Sequence, residues 1–301
     1  EIPLRLVGSE MCIRDRIKGL NPGMRSNIDV NGINDLLGPG GGSKLVARNA
    51  EAAIKVETGM KGVKIMNLMV SGGTEAKNIG IHFAGATDNG MLSNIIGINL
   101  HTGVKIEQAK NMQIVNCWVC ELPNSIELIG GENIVVKNCQ LGAQPTGITC
   151  KVQEVNKLSF INNQVYPDGR ENLVLDACNN CVIEGNNFKS YYNGILVLNG
   201  NDNTVNKNIF WLTGAVQNQL LDHGDDFGII NVKGNNNMVT SNSLSCEWAY
   251  AGAVTVNAVQ GTGNVFKNCF VDNLESYRVF LVNAQTEVSN CVSSDKVSIV
   301  E

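Results

Sequence analysis

Proline is scarce in this chain, six residues in 301, and aromatic residues make up only 5%. That is not the composition of an aromatic-rich sandwich. No apolar run reaches the roughly 18 residues that a transmembrane helix needs, so no membrane role is expected. Lys and Arg total 23 against 28 Asp and Glu, for a net charge of -5. With no basic stripe in the sequence, a nucleic-acid partner is not expected either. There are only three His, which leaves little to build a metal centre from, and nothing asks for a cofactor. Nowhere do apolar residues recur at i, i+3, i+4 and i+7, so the chain does not read as helical.

What is abundant is Asn, 41 residues, together with 32 Gly. The Asn residues close a recurring motif, an alternating apolar run that ends in Asn and often continues with Asn or Cys. It occurs at MQIVNC (Asn116), IVVKNC (Asn138), LSFINN (Asn162), VIEGNN (Asn186), TVNKNI (Asn208), MVTSNS (Asn242), NVFKNC (Asn268) and EVSNC (Asn290). The steps are 22, 24, 24, 22, 34, 26 and 22 residues, and Asn94 extends the series backward by another 22. A fixed period in β-type sequence is the signature of a solenoid whose repeats stack on one another. Asn tolerates left-handed backbone and bonds its own main chain, so it suits a sharp corner. Stacked Asn side chains can also hydrogen-bond along the stack.

A second ladder runs out of phase with the first: GIHF (Gly80), GVKI (Gly103), SIEL (Ser125), GITC (Gly147), NLVL (Asn172), GILV (Gly194), GIIN (Gly228) and RVFL (Arg278). Each piece has strand length and is bounded by Gly or Asn. The expected fold is all-β: a right-handed parallel β-helix of about ten coils of about 22 residues. At roughly 4.8 Å between stacked strands it would be a rod on the order of 45 Å long.

Residues 1–16, EIPLRLVGSEMCIRDR, stand outside the pattern. They look like a translated sequencing-adapter read-through of the kind found at the ends of metagenomic reading frames, and fold reasoning sets them aside. On this reading the natural N-terminus is missing, the absence of a signal peptide carries no information, and residues 17–301 form one β-helix domain. Of the ten Cys, Cys12 lies in that segment. Cys117, Cys139, Cys269 and Cys291 each follow a turn Asn and are expected as small buried residues in a ladder. Cys178 and Cys181 form a CxxC, but no second pair accompanies it as a zinc site would require. Unpaired thiols point toward a reducing, cytoplasmic compartment.

Candidate functional residues come from the second ladder. The central residue of each of its strands is expected to point outward, because its neighbours are apolar and point in. That column reads His82, Lys105, Glu127, Thr149, Val174, Leu196, Ile230 and Phe280. It implies a polar patch around Glu127 and an apolar strip beyond it that a loop or another subunit would cover. The 34-residue step carries an insertion, WLTGAVQNQLLDHGDDFG, with Asp222, His223, Asp225 and Asp226. Three carboxylates and a His could serve acid–base chemistry, bind a cation, or simply form a solvated turn. A third cluster, Asp168, Arg170 and Glu171 in YPDGRENL, sits at a coil corner.

Several stretches together resemble the inulin fructotransferase family, which includes difructose-anhydride hydrolases: KNIGIHFAGATDN, MQIVNCWVCELPNSIELIGG, NNQVYPDGRENLVLDACNNCVIEGN, YYNGILVLNG and HGDDFGIINVKGNNNMVTSN. The resemblance spans roughly residues 60 to 292 and rests on CNNC, YPDGR and GDDFG in that order. It implies a homotrimer of parallel β-helices acting on fructan or difructose anhydride. The reaction would be intramolecular fructosyl transfer, or the reverse-type ring-opening hydrolysis. By resemblance the essential Glu falls on Glu127 and the essential Asp on Asn116. Asn cannot carry a proton in that role, so Glu121 is an alternative acid. His82, Lys105, Arg170, Asp225 and Asp226 would bind sugar, with no metal. Two other readings stay open: a pectate-lyase-like polysaccharide lyase and a non-catalytic glycan-binding scaffold.

Overall fold

A computed structural model describes residues 43–47, 51–72, 78–213, 226–246, 254–272, 278–292 and 297–300. Residues 1–16 with Cys12, and Asp222, His223 and Asp225 of the insertion, lie outside the described residues. The described part is a parallel β-solenoid of about 9 turns without helix.

Each coil has three strands rather than the two that the sequence ladders suggest. One coil shows why. Its first strand lies within Thr102–Val115, where Lys105 pairs in parallel with Glu127 of the next coil. The backbone then turns left-handed at Gln108 and Asn111 (φ 55° and 53°). A second strand follows, in which Ile114 pairs with Val136. Asn116 (φ 56°) turns the chain again, and the third strand begins at Trp118, which pairs with Gln140. We name the three resulting surfaces faces A, B and C in that order. In this coil left-handed bends separate the short extended segments and let them close a triangle, and Asn holds most of the positive-φ positions outside glycine along the stack because its short side chain tolerates that backbone.

The interior is a stack of apolar layers. Phe160, Phe188 and Phe210 come from successive coils, with ring centroids 6.0 Å and 5.0 Å apart, and all are buried. Next to the apolar stack runs a polar one. Asn163 Nδ2 donates to Asn186 Oδ1 (3.0 Å), Asn186 Nδ2 to Asn208 Oδ1 (2.9 Å) and Asn208 Nδ2 to Asn242 Oδ1 (3.0 Å). A parallel ladder links Asn203, Asn237 and Asn264. These amides also bond main chain: Asn186 Nδ2 to the Phe160 carbonyl at 2.8 Å, for example.

The periodic Asn series therefore mixes two neighbouring columns. Asn116, Asn138, Asn162, Asn268 and Asn290 have positive φ and stand at the corner between faces B and C, together with Lys207 and Ser241. Asn186, Asn208 and Asn242 occupy the next position and are buried. The same buried position holds Cys139, whose amide donates to Asn163 Oδ1 (2.9 Å). Cys117, Cys269 and Cys291 follow their corner Asn in the same way and are buried. Cys178 and Cys181 are buried as well.

Candidate functional site on face A

Strand pairing fixes the outward column of face A coil by coil. It runs Lys55, His82, Lys105, Glu127, Lys151, Val174, Val197, Asn231, Asn257 and Leu281. His82, Lys105, Glu127 and Val174 stand where the sequence places them. The other four do not. Thr149 is fully buried two residues before Lys151, and its hydroxyl accepts from the Ala143 amide (3.3 Å). Leu196, Ile230 and Phe280 point into the core, and their C-terminal neighbours take the column instead. The outward apolar strip thus shrinks to Val174, Val197 and Leu281, with Asn231 and Asn257 interrupting it.

The polar half of the column is a connected ionic strip. Lys105 Nζ lies 2.9 Å from Glu107 Oε1, and His82 Nε2 lies 3.2 Å from the other oxygen of the same carboxylate. Lys151 Nζ approaches Glu127 Oε1 at 3.8 Å, from the coil on the side of Glu127 away from Lys105. Glu127 thus stands between two lysines, Lys105 and Lys151. The hydrogen bond from Lys105 holds the Glu107 carboxyl below the usual carboxylate range, with His82 adding to it against the cost of partial burial. The same bond raises Lys105 above the ordinary lysine value. His82 is 5% exposed, and its Nδ1 is buried with no hydrogen-bond partner among the described residues. The sequence reading misses Glu107 and Lys151. Glu107 shares the outward parity of Lys105 two residues away, a signal present in the alternation.

The remaining candidates are spread over the rod. Asn116 is exposed at the corner between faces B and C, which is opposite face A across the core. Within one chain it therefore stands apart from Glu127, as a corner residue. Glu121 is exposed at another left-handed bend (φ 63°), where its carbonyl accepts from Gln144 Nε2 at 3.1 Å. It too marks a corner and not the outward column. Arg170 begins a face A strand, its amide bonded to the Gly147 carbonyl at 2.9 Å, and its Nε lies 3.5 Å from the buried Glu171 carboxylate. Asp226 pairs with Arg278 Nη1 at 2.7 Å, and its carbonyl accepts from Asn257 Nδ2. It lines a cavity of about 150 Å³ with Phe227, Asn231, Lys233 and Asn257. Asn257 is five pairing steps from Glu127 along the column, about 24 Å at the usual strand spacing of roughly 4.8 Å. Glu127 and Asp226 are therefore separate features of one chain. Asp225 lies outside the described residues.

A family model described as periplasmic copper-binding protein (NosD) matches residues 101–287. The chain belongs to the NosD family. The matched span covers the face A strip from Lys105 onward and the cavity at Asp226. No curated protein matches this NosD-family chain in sequence. Among solved structures it is similar to a DFA-IIIase from Arthrobacter chlorophenolicus A6. Against that enzyme without its lid, the TM-score is 0.69 at 21% identity over 84% of this chain and 69% of the other. Against its complex with GF2 the TM-score is 0.67 at 19% identity, over 83% and 69%. Against its complex with DFA-III it is 0.66 at 19% identity, over 84% and 72%. At such identities the likeness establishes the shared fold, and it agrees with the resemblance drawn from the sequence.

The copper named in the NosD description finds no ligand set here. No three His, Cys, Asp or Glu converge among the described residues. His82 is bonded to Glu107, and His101 Nδ1 lies 3.0 Å from the Thr102 hydroxyl. The described cysteines are buried except Cys246, which is half-buried, and burial pushes the Cys150 thiol well above its ordinary range. No helix among the described residues is long and apolar enough to cross a membrane.

Proposed function

We propose that this chain is a carbohydrate-active enzyme that uses face A, and that its substrate is a fructan or a difructose anhydride. The observation that carries the reading is Glu127, a half-buried carboxylate at the middle of a strand, outward-facing and flanked along the stack by Lys105 and Lys151. A flat β-face with a fixed carboxylate presents an acid to a sugar chain lying along or across the coils. Fructosyl linkages are the substrate class proposed because the chain shares its fold with DFA-IIIase and its sequence resembles that family.

In this reaction the Glu127 carboxyl protonates the departing glycosidic oxygen as its bond to the anomeric carbon breaks. The incoming oxygen is a hydroxyl of the neighbouring fructose in cyclising transfer, or water in ring opening. Lys105, Lys151 and Arg170 would hold sugar hydroxyls beside it. The homotrimer implied by the family resemblance belongs to the same reading, with Val174 and Val197 as the half-buried outward apolar positions that a neighbouring copy would cover.

The test is product analysis by chromatography and mass spectrometry after incubation with inulin and, separately, with difructose anhydride. The wild-type chain is expected to release a cyclic disaccharide from inulin or an opened fructobiose from the anhydride. The Glu127→Gln variant should lose about 10²- to 10⁴-fold in turnover, the usual contribution of a general acid. Full activity in a folded Glu127→Gln variant would remove Glu127 from the chemistry. Sugar binding without product from the wild type would make the chain a glycan-binding scaffold instead.

A further inference from the structure

We propose that Glu107 is the second reacting carboxylate of the face A site, and that His82 and Lys105 are positioning residues that fix it opposite Glu127. This rests on the carbohydrate-active reading above and supplies a partner for Glu127 on its own face, from which Asn116 stands apart.

Three observations converge on Glu107. The first is placement. Glu107 and Glu127 lie one coil apart and two residues apart along the strand, since Lys105 pairs with Glu127. With a strand spacing of roughly 4.8 Å and a rise of roughly 3.3 Å per residue, their Cα atoms are about 8 Å apart. Glycoside chemistry uses carboxyl groups separated by about 5 to 9.5 Å, a range within reach of two outward Glu side chains whose Cα atoms are about 8 Å apart. The second is restraint. Both Glu107 oxygens are engaged, Oε1 by Lys105 at 2.9 Å and Oε2 by His82 at 3.2 Å, so the carboxylate is held in one orientation. The Lys151 contact to Glu127, at 3.8 Å, is looser. The tightly held group is the one suited to remain a carboxylate, and the looser one to exchange a proton. The third is burial. His82 is 5% exposed, and its Nε2 lies against Glu107 Oε2, so the packed ring fixes that carboxylate from the preceding coil.

The step balances with these two groups. Glu127 gives its proton to the departing oxygen, and the anomeric carbon–oxygen bond breaks. The attacking hydroxyl, of fructose or of water, forms the new bond and passes its proton to Glu107. The proton then returns to Glu127 through solvent. The charged groups around Glu107 are His82 and Lys105 in direct contact, Glu127 and Lys151 on the coils beyond, and Glu51, which adds to the field at Lys105.

The experiment compares Glu107→Gln, Glu127→Gln and His82→Gln in the full chain, with difructose anhydride and inulin as substrates. Glu107→Gln should lower kcat by about 10²-fold or more, with KM within a few-fold of wild type. His82→Gln should lower kcat less and move the acidic limb of the pH–rate profile to higher pH, because a neutral Gln amide favours the ionised form of Glu107 less than an imidazole that can take up a proton. A purely structural His82 would lower the melting temperature and leave that limb in place. If Glu107→Gln does not fold, Glu107→Asp decides: a tenfold or greater loss in kcat with an unchanged far-UV spectrum supports the assignment. Full activity of Glu107→Gln alongside a dead Glu127→Gln overturns the role of Glu107 and leaves the enzyme reading standing. Absence of product from the wild type overturns both.

Discussion

An asparagine can hold a coil corner in two ways, and neighbouring positions of this solenoid use one each. At Asn116 the backbone is left-handed and the side chain is exposed, so the residue is there for its φ. At Asn186 the side chain is buried and works as a rung: it accepts from the Asn163 amide at 2.8 Å and donates to Phe160 and Asn208. A corner residue chosen for φ should be replaceable by Gly at nearly no cost, whereas Ala, with its Cβ, should cost about 1 kcal/mol. Thermal or denaturant unfolding of Asn116→Gly and Asn116→Ala checks this. It follows too that Asn116→Asp should not raise turnover, since the new carboxylate would stand across the core from Glu127. A gain in product from that variant would return Asn116 to the site. The sequence shows that Asn recurs, but a doubled NN such as Asn162–Asn163 does not say which of the two turns the chain. A slip of one position exchanges corner for core.

On face A the elements are strands three to twenty residues long whose outward side chains meet along a strand and through stacking. Where alternation is strong, as in GVKI and SIEL, the outward residue is legible, and Lys105 and Glu127 come out of the sequence correctly. Where a strand is apolar throughout, as in GILV and RVFL, period two has no contrast to work with, and Leu196 and Phe280 are placed on the wrong side. Glu107 escapes notice for another reason: it belongs to the site through contacts with two coils, His82 below and Lys105 beside it, and no single motif contains them. That ionic strip has a pH signature. Glu107 titrates below its ordinary 4.5 when folded, so its contribution is present above that value and disappears as pH falls through the lower folded pKa. Lys105 titrates above 10.5 when folded, so its contribution is present below that value and disappears as pH rises through the higher one. The stability difference between wild type and Glu107→Gln should therefore be about 1 kcal/mol and flat from roughly pH 6 to 9. It should shrink in acid. Melting curves across pH measure it, and a difference that grows in acid would mean the carboxylate is not held by these two partners.

The whole molecule is close to one-dimensional: each coil touches only the coil above and the coil below, through parallel pairing and stacked side chains. The NosD-family match over residues 101–287 and the likeness to DFA-IIIase say that this stack is the common scaffold, while the side chains on its faces decide the chemistry. A stack of this kind should localise damage. Replacing Asn186 by Ala removes the acceptor of the Asn163 amide N–H and side-chain donor, and leaves the Phe160 carbonyl without its bond. Each buried group left unpaired costs about 1 to 3 kcal/mol, so the sum should be roughly 3 kcal/mol or more. Because the ladder runs along the stack, that loss falls on the coils of Asn163, Asn186 and Asn208. In native-state hydrogen exchange, amides of those coils should lose protection in Asn186→Ala, while amides around Lys105 and Glu127, two to three coils away, should keep most of theirs. Uniform acceleration along the rod would instead mean that it opens as a single cooperative unit. The face A site would then owe its rigidity to the full length of the stack and not to the coils that carry it.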